Sequence, residues 1–536
     1  MCGNDFEKWE AECVKAVLSL PFVEPVLLIK DVRQDLPNKG FQKIKNYPYK
    51  NFLWRFYKRF FMKAQAAQTV AMPNELKNIP CLDCITKIKG KHSEYFSDAD
   101  IEKIKSHNPD FIIRFRFNII RGEILNVAPI GVWSYHHSDE LVYKGGPAAF
   151  WEIYNNKDVT GAILQKLTND LDNGIVLKKG FLKTIKRSYS ANFDSILSNS
   201  TEWVKQVCVD IHNGVADYFD HTPVKSNAPI NKYPSNFRMV IFFLKMFAHK
   251  LHFHYTEFFK PEKWNVGIVK QTIQNISQQG IKKIDWTKEL SGTEYKADPF
   301  GYLLNGEKHI VYERYNYKEQ KAIIATDNNL VLSENHHLSY PFIVEHTNEI
   351  YMIPESYQKN VVMLYKLDKA NNKWCFIKNL IENIPAVDNT LVFHENKYWL
   401  FCTMQNDEPD AKLFIYFSDT LDGNYKAHAN NPVKCNVSSS RPAGTPFYLN
   451  NALYRPAQDC SETYGGKIIL NKITKLNEFE FSEEKTGEVL PPANSIYKHG
   501  LHTISTFGDE TLIDAKYYSF NFTHFLNVVK KKLFKN

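Results

Sequence analysis

Asp298-Pro-Phe-Gly-Tyr-Leu-Leu-Asn-Gly-Glu-Lys-His-Ile-Val-Tyr-Glu313 lines up without a gap on Tyr340-Pro-Phe-Ile-Val-Glu-His-Thr-Asn-Glu-Ile-Tyr-Met-Ile-Pro-Glu355. The same 16-residue frame fits Asp388 to Thr403, Gly444 to Asp459 and, more loosely, Gly500 to Ala515. Each copy reads as an apolar strand, a polar turn and a second aromatic strand, which is a hairpin. The copies start 42, 48, 56 and 56 residues apart, leaving room for two further strands per unit, the length of a four-stranded blade. The repeat therefore predicts a five-bladed β-propeller over residues 263–520, with a β-sandwich as the alternative. Phe300, Phe342, Phe393 and Phe447 are expected to pack between blades.

A propeller gathers the first strand of each blade around a central channel, so equivalent frame positions converge from distant parts of the chain. Asp298, Tyr340 and Asp388 begin hairpins; Glu313, Glu355 and Asp459 end them; Arg441, Arg455 and His502 add positive or switchable charge. The candidate substrate-binding set is Asp298, Glu313, Glu355, Asp388, Arg441, Arg455, Asp459 and His502. Two carboxyl groups cleave a glycoside when one stays protonated at suitable separation, and carboxylates also bind sugar hydroxyls. Ion pairing of Glu313 or Asp459 with Arg314, Arg441 or Arg455 is the structural alternative.

Upstream, the stretch from Gly131 to Gly174 sets His136 just past a short apolar run, follows it with Lys144-Gly-Gly-Pro147, and brings in Asp172. Around it, Val26–Ile29 and Asp110–Ile113 read as strands, and Ser97-Asp-Ala-Asp100 as the capped start of a helix. This is the rhythm of an α/β domain with a parallel sheet. No strand is followed by Gly-x-Gly-x-x-Gly or a Walker loop, so dinucleotide and nucleoside triphosphate sites are not indicated. Trp203, Val207, Ile211 and Val215 describe one face of a helix over about 200–219, and a second helix is predicted over Phe237–Phe259. The boundaries that follow are 1–190 for the α/β domain, 191–262 for a helical connector, 263–520 for the propeller and 521–536 for a basic tail.

The Gly131–Gly174 run resembles the formyltransferase family, a Rossmann-type α/β fold whose members transfer a formyl group from 10-formyltetrahydrofolate. Against that family's Asn-x-His-Pro-Ser, Tyr-Arg-Gly, Thr-Gly and Asp-x-Gly pattern, His136, Ser138, Tyr143, Gly145, Thr160, Gly161, Asp172 and Gly174 match in order and spacing. Ser134 stands for the asparagine, His137 for the proline, Lys144 for the arginine, and Asp139 and Glu140 for two leucines. The resemblance implies a catalytic set of His136, Asp172 and Ser134. Formyl transfer to an amine passes through a tetrahedral oxyanion that needs a donor, and the amine must lose a proton. An acceptor such as Asp172 would fix the His136 tautomer. A serine hydroxyl is a weaker donor than an asparagine amide, and losing one oxyanion donor costs about 100- to 1000-fold in rate. His137 is the partial substitute.

The propeller resembles that of arabinanase-like glycoside hydrolases. Through His337-Leu-Ser-Tyr-Pro-Phe342, Ser440-Arg-Pro-Ala-Gly444 and Tyr454-Arg-Pro-Ala-Gln-Asp-Cys460 it more closely resembles the propeller region of plant glucosamine inositolphosphorylceramide transferases, over roughly Trp286 to Lys516. Together the resemblances imply an enzyme that formylates an amino sugar, sugar nucleotide or glycan in surface polysaccharide synthesis, with the propeller holding the carbohydrate. The alternatives are a propeller-based glycosidase or transferase carrying an inert formyltransferase-like domain, and a non-catalytic glycan-binding protein.

A net charge of +8 over 536 residues does not call for nucleic acid, and no zinc-finger or RNA-recognition signature suggests it. Nine scattered cysteines do not read as a disulfide framework, and Cys81-Leu-Asp-Cys84 lacks a second pair, so no metal is expected. The N-terminal residues do not read as a signal peptide. Lys245, His249, Lys250, His252 and His254 interrupt the most apolar segment, Met239–Phe259, and argue against a membrane span. The expected location is the cytoplasm. Three basic-aromatic stretches, Phe52–Lys63, Arg238–Tyr255 and Phe522–Lys535, suit peripheral contact with the inner face of a membrane.

Overall fold

The computed structural model describes residues 5–32, 49–90, 93–169, 174–223 and 225–534. They fall into two compact units, Met1–Leu251 and His252–Asn536.

In the first unit, helices α1 (Lys8–Leu18), α2 (Phe52–Phe60), α3 (Asp98–Lys105), α4 (Tyr189–Ser198) and α5 (Trp203–His212) accompany a four-stranded mixed sheet. The strand Ile112–Arg114 runs parallel to Val132–His136, which pairs antiparallel with Val159–Lys166, and Ile175–Lys183 forms the edge. The expected parallel rhythm is present as narrow pairs, Leu28–Asp31 with Cys81–Cys84 and Ser93–Tyr95 with Ile119–Ile120. The last two strands of the mixed sheet follow each other too closely for a crossover helix, so they pair antiparallel.

Helix α3 starts where its capping residues predict. Ser97 Oγ accepts the Asp100 N–H at 3.1 Å, acids fill the first turn and lysines the last, and Ile101 and Ile104 are buried. Helix α5 is shorter than its apolar period suggests. Gly214 adopts a φ of 70° just beyond it, the left-handed geometry that ends helices. Helix α6 spans Asn236–Phe259 and begins within a residue of the predicted position.

Among the described residues the second unit is almost wholly strands, in five antiparallel sheets, four of them four-stranded and the one that begins with Ala386–His394 five-stranded. One joins the two ends of the unit, with Glu262–Val269 lying between Ile284–Trp286 and Glu510–Tyr518, and Ile504–Phe507 on the far side of the latter. The next three begin with Glu294–Leu304, Ser339–His346 and Ala386–His394, and the last with Phe447–Leu449. The strands beginning at Glu294, Ser339 and Ala386 lie against one another in succession, and Gly444 bridges to Ile504 to meet the end-joining sheet. A short helix, α7 (Phe522–Phe534), follows and packs Phe525 on Phe258 and Phe259.

The repeat corresponds to a shared backbone device. Asp298, Tyr340 and Asp388, first in their frames, have φ of 48°, 43° and 54°, and Gly444 has 108°. In the first three, the strand register shifts at this residue, a bulge that interrupts the ladder and turns the backbone N–H out of it. Of the four phenylalanines expected between sheets, Phe300, Phe342 and Phe447 are buried, whereas Phe393 is 52% exposed. It sits near the tip of its hairpin, two residues before the turn.

Candidate functional site

In the first unit the strand Val132–His136 carries Ser134 and His136 on one face and His137 beyond them. The His136 ring is half-buried, and its Nε2 lies 3.2 Å from the Tyr143 carbonyl, which accepts its N–H. In that tautomer Nδ1 is the acceptor nitrogen. Ser134 is buried, and its Oγ accepts a hydrogen bond from Arg114 Nη1 at 2.5 Å. Burial lowers the Arg114 guanidinium to about 10, so it remains charged at neutral pH. Asp172 lies outside the described residues. His137 does not stand in for the missing asparagine. It packs half-buried against Trp9 and is stacked on Tyr135, and desolvation, aided by His136, holds it down at about 3 and hence neutral. Asp139 and Glu140, which replace the family's leucines, both accept from Lys179, at 2.9 and 3.0 Å. Gly161 is required by close approach, since a Cβ there would meet the Asp139 backbone and Cβ at 3.0–3.2 Å.

The denser constellation lies where the sheets of the second unit converge. The bulged N–H of Asp298 donates to Asp514 Oδ2 at 2.8 Å, that of Asp388 to Glu355 Oε2 at 3.0 Å, and that of Gly444 to the Tyr340 hydroxyl at 2.6 Å. The end-joining sheet thus supplies the acceptor for Asp298, and the sheet that begins with Ser339–His346 supplies those for Asp388 and Gly444. Non-glycine residues in this backbone region cost about 1–3 kcal/mol each and persist where surroundings hold them, often at functional sites.

Two groups of side chains result. In one, Asp514 Oδ1 accepts His502 Nδ1–H at 2.7 Å and the N–H groups of His502 and Thr503. Nε2 of His502 then faces Asp298 Oδ1 at 3.4 Å, which also accepts from the Thr503 hydroxyl at 2.7 Å. Burial would discharge His502, but Asp514 and Asp298 outweigh it and hold the imidazole above its usual range. Burial pushes Asp298 up to about 6 although His502 pulls it down. Burial, with Asp298 and Glu355 beside it, holds the Glu313 carboxyl well above the usual carboxylate range.

In the other group, Asp388 Oδ2 accepts from Arg441 Nε at 2.6 Å and from the Gln458 amide at 2.9 Å. Burial lifts Asp388 to about 6, with Arg441 opposing. Arg441 also donates to Asp410 at 3.1 Å and stacks over Tyr464. Ser339 donates to Glu355 Oε1 at 2.9 Å and receives the Nε2–H of His337, whose Nδ1 accepts the Ala322 N–H. Burial keeps that imidazole neutral, at about 4. The three ligand atoms of Asp298, His502 and Asp514 lie within 4.8 Å of one another, close enough to share a cation, and the hydrogen bonds above join them without one.

Of the predicted binding set, Asp298, Glu313, Glu355, Asp388, Arg441 and His502 come together. Arg455 does not. Fully buried, it makes two bonds to Glu483, at 2.9 and 2.6 Å, and two to the carbonyls of Ser439 and Ser440, in a structural cluster that Lys434 joins through Glu483 at 2.6 Å. Asp459 instead accepts from the N–H and hydroxyl of Ser461. Gln458 and Asp514, which do reach the site, stand one place before the frame's last position in the fourth and fifth copies. A one-residue displacement on a strand turns a side chain to the opposite face.

A profile of the family described as the N-terminal part of glucosamine inositolphosphorylceramide transferase 1 matches residues 285–492. The rice transferase of that name (Oryza sativa subsp. japonica) is 34% identical over 207 residues, 36% of this chain and 28% of its own length. The chain thus spans little more than a quarter of that relative, and the matched part holds the carboxylate cluster up to Gln458. The methionyl-tRNA formyltransferase of Clostridioides difficile is 32% identical over 93 residues, 17% of this chain and 28% of that one. Both relatives are transferases by name. A family 117 glycoside hydrolase from Zobellia galactanivorans superposes with a TM-score of 0.30 at 12% identity, covering 50% of this chain and 92% of its own.

Proposed function

We propose that this chain is a carbohydrate-active protein whose second unit is a five-bladed propeller that takes an amino sugar at its centre. One observation carries the reading. Among the described residues, Asp298, Glu313, Glu355, Asp388 and Asp514 gather around one guanidinium, Arg441, and the His502 imidazole, which Asp514 and Asp298 hold above its usual range. Such a surplus of acceptors suits the hydroxyls and ammonium of an amino sugar, and the name of the plant relatives contains one, glucosamine.

The protonation pattern supports chemistry at a glycosidic bond. Glu313, its carboxyl held well above the usual range, is suited to pass a proton to a departing acetal oxygen, while Asp388, anchored by Arg441 and lifted only to about 6, is suited to face a developing oxocarbenium charge. Asp514 orients His502, and His502 in turn faces the Asp298 carboxylate, while Glu313, once it has given its proton to the leaving oxygen, would regain one from the water that attacks the sugar. The test is turnover of an aryl glucosaminide. Glu313→Gln is expected to lower kcat at least about 100-fold, within the range for losing a positioned acid. Full activity in that variant would remove Glu313 from the chemistry.

Formyl transfer by the first unit is the second reading, favoured by the ordered His136, Ser138, Thr160 and Gly161 frame and by the similarity to a formyltransferase. The resemblance implies 10-formyltetrahydrofolate as donor. Among the described residues Ser134 is buried, and its hydroxyl accepts from Arg114 and donates to the Tyr135 carbonyl at 3.4 Å, so it is turned to the protein rather than to an oxyanion. Binding of a folate analogue that is lost in His136→Ala would favour this reading.

A further inference from the structure

Helices α2 and α6 lie side by side in the first unit. Asn236, at the start of α6, accepts the Leu53 N–H at 3.0 Å and donates to the Tyr49 carbonyl at 2.8 Å, and Tyr57 packs on Phe243 with ring centroids 5.3 Å apart. The inward face of α6 is fully used. Met239 and Phe242 are buried, Phe242 stacks on Phe150, and Lys245 Nζ reaches the Tyr154 carbonyl at 2.6 Å.

The outward face is apolar where a soluble helix should be polar. Phe237, Val240, Leu244, Phe247 and Leu251 recur at three- and four-residue intervals, and Phe237, Leu244 and Phe247 are 75%, 64% and 61% exposed. On α2 the row is Phe52, Phe56 and Phe60, continued by Phe61, with the rings of Phe56 and Phe60 5.0 Å apart and exposed. A run of aromatic rings this extensive marks an interaction surface.

Charge decides what it meets. Residues 49–63 and 236–256 contain no Asp or Glu, yet the first segment holds Lys50, Arg55, Lys58, Arg59 and Lys63, and Arg238 and Lys250 are exposed on α6. We propose that the α2–α6 face docks on an anionic lipid bilayer, its aromatic rows entering the headgroup boundary and its cations meeting lipid phosphates. Neither helix crosses: among the described residues no helix is long and apolar enough to span a membrane. Acid-free cationic flanks beside aromatic rings match a uniformly anionic surface, whereas a second copy would bring the same cations against themselves.

The test is co-sedimentation of the full chain with vesicles of phosphatidylcholine, alone or containing about a third phosphatidylglycerol. The wild type is expected to pellet with the mixed vesicles, to bind pure phosphatidylcholine far more weakly, and to be released as salt rises. Phe237→Ser with Phe247→Ser should weaken partition at least about tenfold, from lost apolar burial. Arg55→Glu with Arg59→Glu should weaken binding to the mixed vesicles about twentyfold or more, at roughly fivefold per cation, and leave the weak binding to phosphatidylcholine unchanged. Phe376→Ser, an exposed aromatic in the other unit, should change nothing. Native circular dichroism confirms that each variant is folded. Failure of the wild type to pellet with either vesicle overturns the proposal, as does unchanged partition in both double variants. So does a lipid-free dimer that Phe237→Ser with Phe247→Ser dissociates, which would make the face a self-association surface.

Discussion

One oxygen of Asp388 accepts both the Arg441 guanidinium and the Gln458 amide. Asp388→Asn keeps the shape and removes the charge, leaving Arg441 with its hydrogen bond to Asp410 and the nearby Glu355 carboxyl. Breaking a buried pair from one side costs about 3–5 kcal/mol, so denaturant unfolding of the second unit should show a loss near the lower end, because Asp410 stays. Asp298 offers a pH signature. Its folded value, about 6, lies above the ordinary 3.8, so between these values the native state binds more protons than the unfolded chain. Its contribution to stability therefore falls as pH rises from about 4 to about 6. His502, also held above its ordinary value, changes stability in the same direction at higher pH, since its contribution is complete below 6.5 and disappears above its raised folded value. Asp298→Asn should remove the first of these slopes. The check is the difference in Tm between variant and wild type across pH 4–7, which should shift progressively in the variant's favour as pH rises.

At the scale of the element, the hairpins depend on their bulges. The Tyr340 hydroxyl accepts the Gly444 N–H and bonds Thr390 at 2.8 Å, so Tyr340→Phe leaves a buried N–H without its acceptor and should cost about 1–3 kcal/mol by chemical denaturation. Gly444→Ala is expected to be worse, because a Cβ there would lie 1.9 Å from the Ile504 carbonyl oxygen at a φ that already disfavours it. These positions were partly legible in the sequence. Asp298, Tyr340 and Asp388 stood first in an ungapped frame, and the six convergent site residues followed from that frame and its neighbours. Gln458 and Asp514 were not legible because the frame counts residues, while a strand's facing depends on register, and the fourth hairpin pairs Phe447 with Tyr454 where the first pairs Phe300 with Val311. Arg455 misled for a related reason: a charged residue near a convergent strand carries no sign of which side holds its partner, and Glu483 lies on a different strand of the same sheet.

For the whole molecule, the two units differ in how their folding information is spread. The helices of the first are written locally, in Ser97 at a cap and Gly214 at a terminus, while its sheet pairings depend on connection length. The second closes on itself through Glu262–Val269 and Glu510–Tyr518, strands separated by almost the whole unit. No local pattern announces that pairing. Truncation after residue 509 removes the partner of Glu262–Val269 together with Asp514, and should abolish the second unit's cooperative unfolding transition in calorimetry while leaving a first-unit transition. Survival of both transitions would show that the end-joining sheet is dispensable.

The central claim, that the carboxylate cluster of the second unit receives an amino sugar, is tested most directly by calorimetric titration of glucosamine into the wild type, Asp388→Asn and His136→Ala. The account predicts binding by the wild type and by His136→Ala, and at least about tenfold weaker binding by Asp388→Asn, as expected for losing a charge-assisted contact. Binding untouched by Asp388→Asn but lost in His136→Ala would contradict it and move the sugar to the first unit.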